Sequence, residues 1–189
     1  MNEREKMSKE IPMIFSQQSI PKLLDGTKTM TRRIAKNLYF CGDNLPCWPS
    51  SGKGSPPYKV GDLIWVRETF GFDPWHYMDG HESILYRASQ KIDSDYPIKW
   101  KPSIHMPKWA ARIFLEITNV RVECLQEITE EDVVKEGFPQ PGRNRYLIID
   151  FADAWDELNA KRGHSWESNP WVWVIEFRRV GLGQRNRRA

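Results

Sequence analysis

A chain of 189 residues, 40% hydrophobic and 28% charged, is long enough to bury one elaborated core and too apolar for general disorder. A formal net charge of +3 is too small to imply a nucleic-acid partner by itself, and no apolar run approaches the roughly 20 residues that a membrane helix needs. Three cysteines (Cys41, Cys47 and Cys124), an odd number without a secretory leader, fit a reducing compartment, so a cytoplasmic protein without membrane attachment is expected.

The first ten residues are polar and read as a tail, as do residues 181–189, where arginines cluster. Between them, 11–180 reads as a single domain. Met13-Ile14-Phe15 predicts a first strand. Ser19 is placed to cap a short helix, with Pro21 in its first turn, Ile20, Leu23 and Leu24 on one face, and Gly26 closing it. Thr27 to Ile34 then alternates as a strand does. Two irregular insertions follow, at about 41–58 and 71–107, the first rich in Gly, Pro and Ser, the second in Trp, Tyr, His and Pro. The strand "KVGDLIWVRETF" (59–70) separates them, and Ser83–Arg87 is a further strand candidate inside the second.

"ARIFLEITNVRVECL" (111–125) predicts two strands or one long bent one, turning at Thr118-Asn119. In "ITEEDVVKEGF" (128–138), Thr129 caps a helix, Asp132 stands three residues on, Ile128 and Val133 can staple it, and Gly137 ends it. "DFADAWDELNAKRG" (150–163) predicts another helix, capped by Asp150, with Phe151, Trp155 and Leu158 as its apolar stripe. "WVWVIEFRRV" (171–180) is apolar on both faces at its start, hence a central strand. This order predicts an α+β fold: a small, mostly antiparallel β-barrel with flanking helices, closed by the first and last strands lying side by side.

Chemistry is sparse by motif. The four histidines (His76, His81, His105 and His164) and three cysteines form no C-x-x-C or H-E-x-x-H pattern, so no metal is expected. "SSGKGSPP" lacks the Walker spacing, and no cofactor is implied. The crowded stretch is "LLDGTKTMTRRI" (23–34). It reads either as a solvated edge strand or as a site for an anionic or nucleotide-like ligand. In the second reading, Lys28 serves as a base once neighbouring cations and burial favour its neutral form. Thr29 and Thr31 supply hydroxyls, and Arg33 a planar fork. One obstacle is geometric: in a flat strand Lys28 and Thr31 point to opposite faces, so Lys28 must sit in the turn or a bulge must intervene.

Gly26-Thr27-Lys28-Thr29-Met30-Thr31-Arg32-Arg33 resembles the G-x-K-x-x-x-R signature of the ASCH domain family, PUA-like β-barrels. Val60-Gly61-Asp62-Leu63, the helix "ITEEDVVKEGF" and the closing "WVWVIEF" are similar to that family's other elements, and the long insertions resemble those of ASCH proteins carried by phages and prophages. The resemblance implies a ligand class, RNA or modified nucleosides. It also implies an activity, that of the small bacterial amidohydrolases that remove the acetyl group of N(4)-acetylcytidine. Carried over residue by residue, their lysine falls on Lys28, their threonine on Thr31, their arginine on Arg33, and their glutamate on Glu136 when the helices are aligned at Thr129. Lys28, Thr31 and Glu136 are then expected to be catalytic, and Arg33, Thr29, Arg32, Trp75 and Trp109 to contact substrate. Trp48 and Trp100 are further candidates for base stacking, while Trp65 is expected in the core. Thr31 departs from the glutamate that many members carry there. A non-catalytic RNA-binding module and an ASCH-type ribonuclease are the alternative readings.

Overall fold

The computed structural model describes residues 8–36, 38–41, 45–47, 57–73, 83–89, 98–139 and 146–181. Strand β1 (Glu10–Ile14) starts three residues before the predicted Met13 because Ile11 and Met13, the alternate inward positions, are the buried ones. Helix α1 (Ser19–Leu24) is capped at Gln18 rather than Ser19, which is already helical. Its chain turns at Gly26, φ 83°, a left-handed conformation that only glycine adopts cheaply. Strand β2 (Met30–Ile34) is shorter than the alternation of 27–34 suggests, so residues 27–29 belong to the turn.

The first insertion carries a two-stranded ribbon, β3 (Tyr39–Cys41) with β4 (Leu45–Cys47). Strand β5 (Leu63–Arg67) is followed by β6 (Phe70–Phe72), which pairs with β7 (Ile84–Tyr86), the strand foreseen within the second insertion. Residues 111–125 form one long strand, β8 (Phe114–Cys124), whose burial breaks at Thr118-Asn119. Helix α2 (Glu130–Lys135) starts at its Thr129 cap, and α3 (Leu147–Asn159) starts a turn before the predicted Asp150, behind Tyr146. Leu158 is 59% exposed and lies off the apolar stripe, which Leu147, Phe151 and Trp155 supply instead. Strand β9 (Trp171–Val180) has the predicted bounds.

The five longest strands hydrogen-bond in the order β1-β5-β8-β9-β2, a mixed sheet flanked by helices. The expected closure is not seen among the described residues. The first and last strands are not neighbours: β1 runs parallel to β5, and β9 pairs antiparallel with β2. The order is open, with β1 and β2 at its edges. Apolar character told that β1 and β9 are buried, but not beside what.

The chain forms two compact units. The first comprises the described parts of Met1–Gly26, Asp62–Glu116 and Arg179–Ala189; it contains β1, β5 and the start of β8. Its satellite core is Phe70, Met106 and Ala110 beneath Phe72, Ile84 and Tyr86. Beside this core, Arg112 binds the buried Glu68 through two bonds (2.8 and 2.9 Å) and lies 4.0 Å over the Tyr86 ring. The second unit, Thr27–Gly61 and Ile117–Arg178, has its own core. Met30, Val172 and Val174 of β2 and β9 pack against Val133 of α2 and Leu147, Phe151 and Trp155 of α3. No helix among the described residues is long and apolar enough to cross a membrane.

Candidate functional site

Helix α2 ends where the site begins. Thr129 Oγ accepts from the Asp132 backbone N–H at 3.2 Å, fixing the first turn. At the other end Gly137 N–H donates to the Val134 carbonyl and Phe138 N–H to the Val133 carbonyl, the paired bonds of a Schellman motif. Gly137 takes φ 90° as that motif requires, and Phe138 packs onto the core. Glu136 is thereby the C-cap residue, its position set by backbone bonds on both sides.

The turn before β2 runs alongside this helix end. Thr29 N–H donates to the Lys135 carbonyl at 2.8 Å, and the Thr29 carbonyl accepts from Phe177 N–H at 2.9 Å. Lys28 is carried inward, 6% exposed, and its Nζ meets Glu136 twice: the carboxylate Oε2 at 2.5 Å and the backbone carbonyl at 2.8 Å. Lys28 lies in the turn and not in the strand, so strand alternation does not set the direction of its side chain.

Within β2, register decides which face each residue takes. Met30, Arg32 and Ile34 face the helices; Thr31 and Arg33, opposite Ile175 and Trp173 of β9, face the other way. Thr31 is buried at 4% exposure and Arg33 is half-buried. Burial pulls the Arg33 guanidinium below its ordinary value, and the neighbouring Tyr58 and Glu136 oppose that pull. Tyr58, also half-buried, has its phenol pushed above the usual 10.0 by burial, with Arg33 opposing. Its ring meets that of Trp173 edge-on, centroids 6.4 Å apart.

Arg32 is at the centre of an ion cluster. Its Nη2 binds Glu123 at 2.6 Å and Asp132 at 2.7 Å, and its Nη1 lies 3.4 Å from Glu136 Oε1. Arg121 joins Glu123, Asp132 and Glu176 at 2.8 to 2.9 Å. The structure thus brings Lys28, Arg32 and Glu136 into contact, with Thr31 and Arg33 on the same strand. Thr29 is exposed and makes its bonds through the backbone. Trp109, 69% exposed, belongs to the other unit. Trp75 and Trp48 lie outside the described residues. Trp100 carries the Arg87 guanidinium 5.3 Å above its ring; Trp65, expected in the core, is half-buried beneath Arg67 at 5.5 Å.

Sequence reasoning missed Tyr58, Glu123 and Asp132 as neighbours of these residues. Tyr58 ends a stretch whose Gly, Pro and Ser content reads only as loop. Glu123 had a signal: it alternates with Arg121 on one face of β8. Asp132 was noted for its helix position, not for the arginines that it holds. Among the described residues, no group of three or more His, Cys, Asp or Glu is arranged to hold a metal ion.

No protein-family model matches the chain, and no curated protein matches it. Solved structures do resemble it. An ASCH domain from Lactobacillus crispatus JV V101 is 15% identical, with a TM-score of 0.46 over 93% of this chain and 82% of that one. Protein EF3133 from Enterococcus faecalis V583, assigned to the family model DUF984, is 10% identical, with a TM-score of 0.46 and the same coverage, 93% and 82%. The hypothetical protein PH0355 is 11% identical, with a TM-score of 0.43 over 90% of this chain and 99% of that one.

Proposed function

We propose that this protein is an ASCH-type amidohydrolase acting on a modified nucleoside, with N(4)-acetylcytidine as the first substrate to test and Lys28, Thr31 and Glu136 as the reacting groups. The observation that carries this reading is the buried pair of Lys28 and Glu136, at 2.5 Å, located next to the strand that bears Thr31 and Arg33. A buried ammonium and carboxylate in contact can exchange a proton without solvent, which is what a base and an acid serving one reaction require.

Lys28 passes a proton to Glu136, leaving a neutral amine and a carboxylic acid. The amine takes the Thr31 hydroxyl proton as Oγ attacks the acetyl carbonyl, and Arg33 stabilises the oxyanion. Glu136 then gives its proton to the departing exocyclic nitrogen of cytidine as the C–N bond breaks. Water, deprotonated by Glu136, attacks the threonine ester and releases acetate; Thr31 regains its proton from Lys28, and proton transfer resets the pair.

Charge balance supports a nucleoside over an RNA backbone. Around Arg32 and Arg121 stand Glu123, Asp132, Glu136 and Glu176, so the cations are compensated by carboxylates that would repel phosphate. The test is incubation of the purified protein with N(4)-acetylcytidine, following cytidine by chromatography, with Lys28→Ala as control. Cytidine from the wild type alone supports the proposal. Absence of cytidine from a folded wild type overturns it for this substrate, and shifts weight to the RNA-binding or ribonuclease reading.

A further inference from the structure

We infer that Arg32 is a positioning residue: it holds one oxygen of Glu136 so that the other faces Lys28. The inference deepens the proposed reaction and rests on it for its functional meaning, but the geometry that it describes can be tested without any substrate.

The guanidinium is accounted for nitrogen by nitrogen. Nε donates to Glu123 Oε1 at 3.2 Å, and Nη2 donates to that same oxygen at 2.6 Å and to Asp132 Oδ2 at 2.7 Å. Nη1 points to Glu136 Oε1 and to Met30 Sδ, each at 3.4 Å. The side chain is 1% exposed and lies 5.9 Å from the centre of the Phe151 ring. A guanidinium with every nitrogen so engaged cannot turn toward a ligand without leaving buried carboxylates uncompensated. Arg32, read from sequence as a substrate contact, is better placed to act through Glu136.

What it does there follows from its shape. A carboxylate on a side chain with free torsions can present either oxygen to Lys28. Here Nη1 occupies the side of Oε1, and Lys28 Nζ takes Oε2. The fork itself is anchored, because Asp132 is tied by its backbone N–H to the Thr129 cap, a bond that does not depend on Arg121. A lysine at this position is a single point charge and cannot span Glu123, Asp132 and Glu136 together. The cluster therefore needs arginine, and its rigidity passes to the proton-sharing pair.

Arg121 provides the control. It binds Glu123, Asp132 and Glu176 but no oxygen of Glu136. In protein labelled with 15N at lysine Nζ, and assigned with Lys28→Arg, the Lys28 ammonium should give a resolved, slowly exchanging signal. Arg32→Gln and Arg32→Lys should broaden or abolish it, as Glu136→Gln does, while Arg121→Gln preserves it, each variant being checked for folding by thermal melting. A wild type without the signal, Arg32 variants that keep it, or loss in Arg121→Gln as well would overturn the inference. Asp132→Asn, which loosens Arg32 without removing it, gives a second test and should weaken the signal if Arg32→Gln does not fold. Should N(4)-acetylcytidine be a substrate, Arg32→Lys should lower kcat at least tenfold with KM within twofold. If the wild type is inactive, the lysine signal still decides the positioning role, so the two failures are separable.

Discussion

Lys28 and Glu136 are 108 positions apart and meet through two bonds of one ammonium, to the carboxylate at 2.5 Å and to the backbone carbonyl at 2.8 Å. Both residues are 6% exposed. Burial makes each charge dependent on the other. Replacing one partner leaves an uncompensated charge in a poorly solvated place, whereas replacing both removes the problem. Glu136→Leu is therefore expected to cost about 3–5 kcal/mol, and Lys28→Met/Glu136→Leu to recover most of it. Urea unfolding of the wild type, both single variants and the double variant tests this; equal losses in Glu136→Leu and the double variant would refute the coupling.

Gly137 is the backbone device that puts Glu136 where it is. At φ 90° a Cβ is strained, so Gly137→Ala should destabilise the protein by about 1–2 kcal/mol. The same change should disturb the Lys28–Glu136 contact, because the bond from Gly137 N–H to the Val134 carbonyl helps to fix the helix end. Denaturant midpoints measure the first effect. An alanine variant as stable as the wild type would show that the turn is not under this constraint.

Tyr58 gives stability an alkaline edge. Burial raises its phenol above the usual 10.0, so the folded state resists ionisation more than the unfolded chain does. The resulting contribution is complete below pH 10 and is lost as the pH rises from there through the folded value. Tyr58→Phe should flatten that part of the stability profile, and absorbance at the phenolate band should show one late-titrating group fewer. Tyr86, raised mainly by its own burial, provides a second late group that remains. An unchanged profile in Tyr58→Phe would refute the assignment.

Cys124 should be a sluggish thiol. Burial pushes it above its ordinary 9.0, and the carboxylates of Glu127 and Glu123 push the same way. At pH 8 the thiolate fraction is lowered, so iodoacetamide should alkylate Cys124 several-fold more slowly in the native protein than in urea. Peptide mass spectrometry resolves this cysteine from Cys41 and Cys47. Equal rates at Cys124 in both states would contradict the expectation.

Local signals in the sequence determined most of the elements. Gly26 and Gly137 mark helix ends because a left-handed residue strongly favours glycine there, and Thr129 marks a helix start because its oxygen takes up an orphan N–H. Strand β9 was legible from its apolar start, where the consecutive residues Val172, Trp173, Val174 and Ile175 are buried on both faces of the strand. Lys28, Thr31 and Glu136 were singled out through a signature and one helix alignment. The contact between Lys28 and Glu136 is a separate, structural fact.

Tertiary structure alone decided what lies beside what. Periodicity reports which residues are buried, not their neighbours, so the pairing of β1 with β5 and the open strand order were not foreseeable. The same limit hid the role of Arg32. In the sequence it is one cation among several; in the fold, register turns it toward the helices and away from Thr31 and Arg33, where three carboxylates from β8 and α2 converge on it. Electrostatic partnership depends on distance through space, and a residue's own position in the chain does not encode that distance.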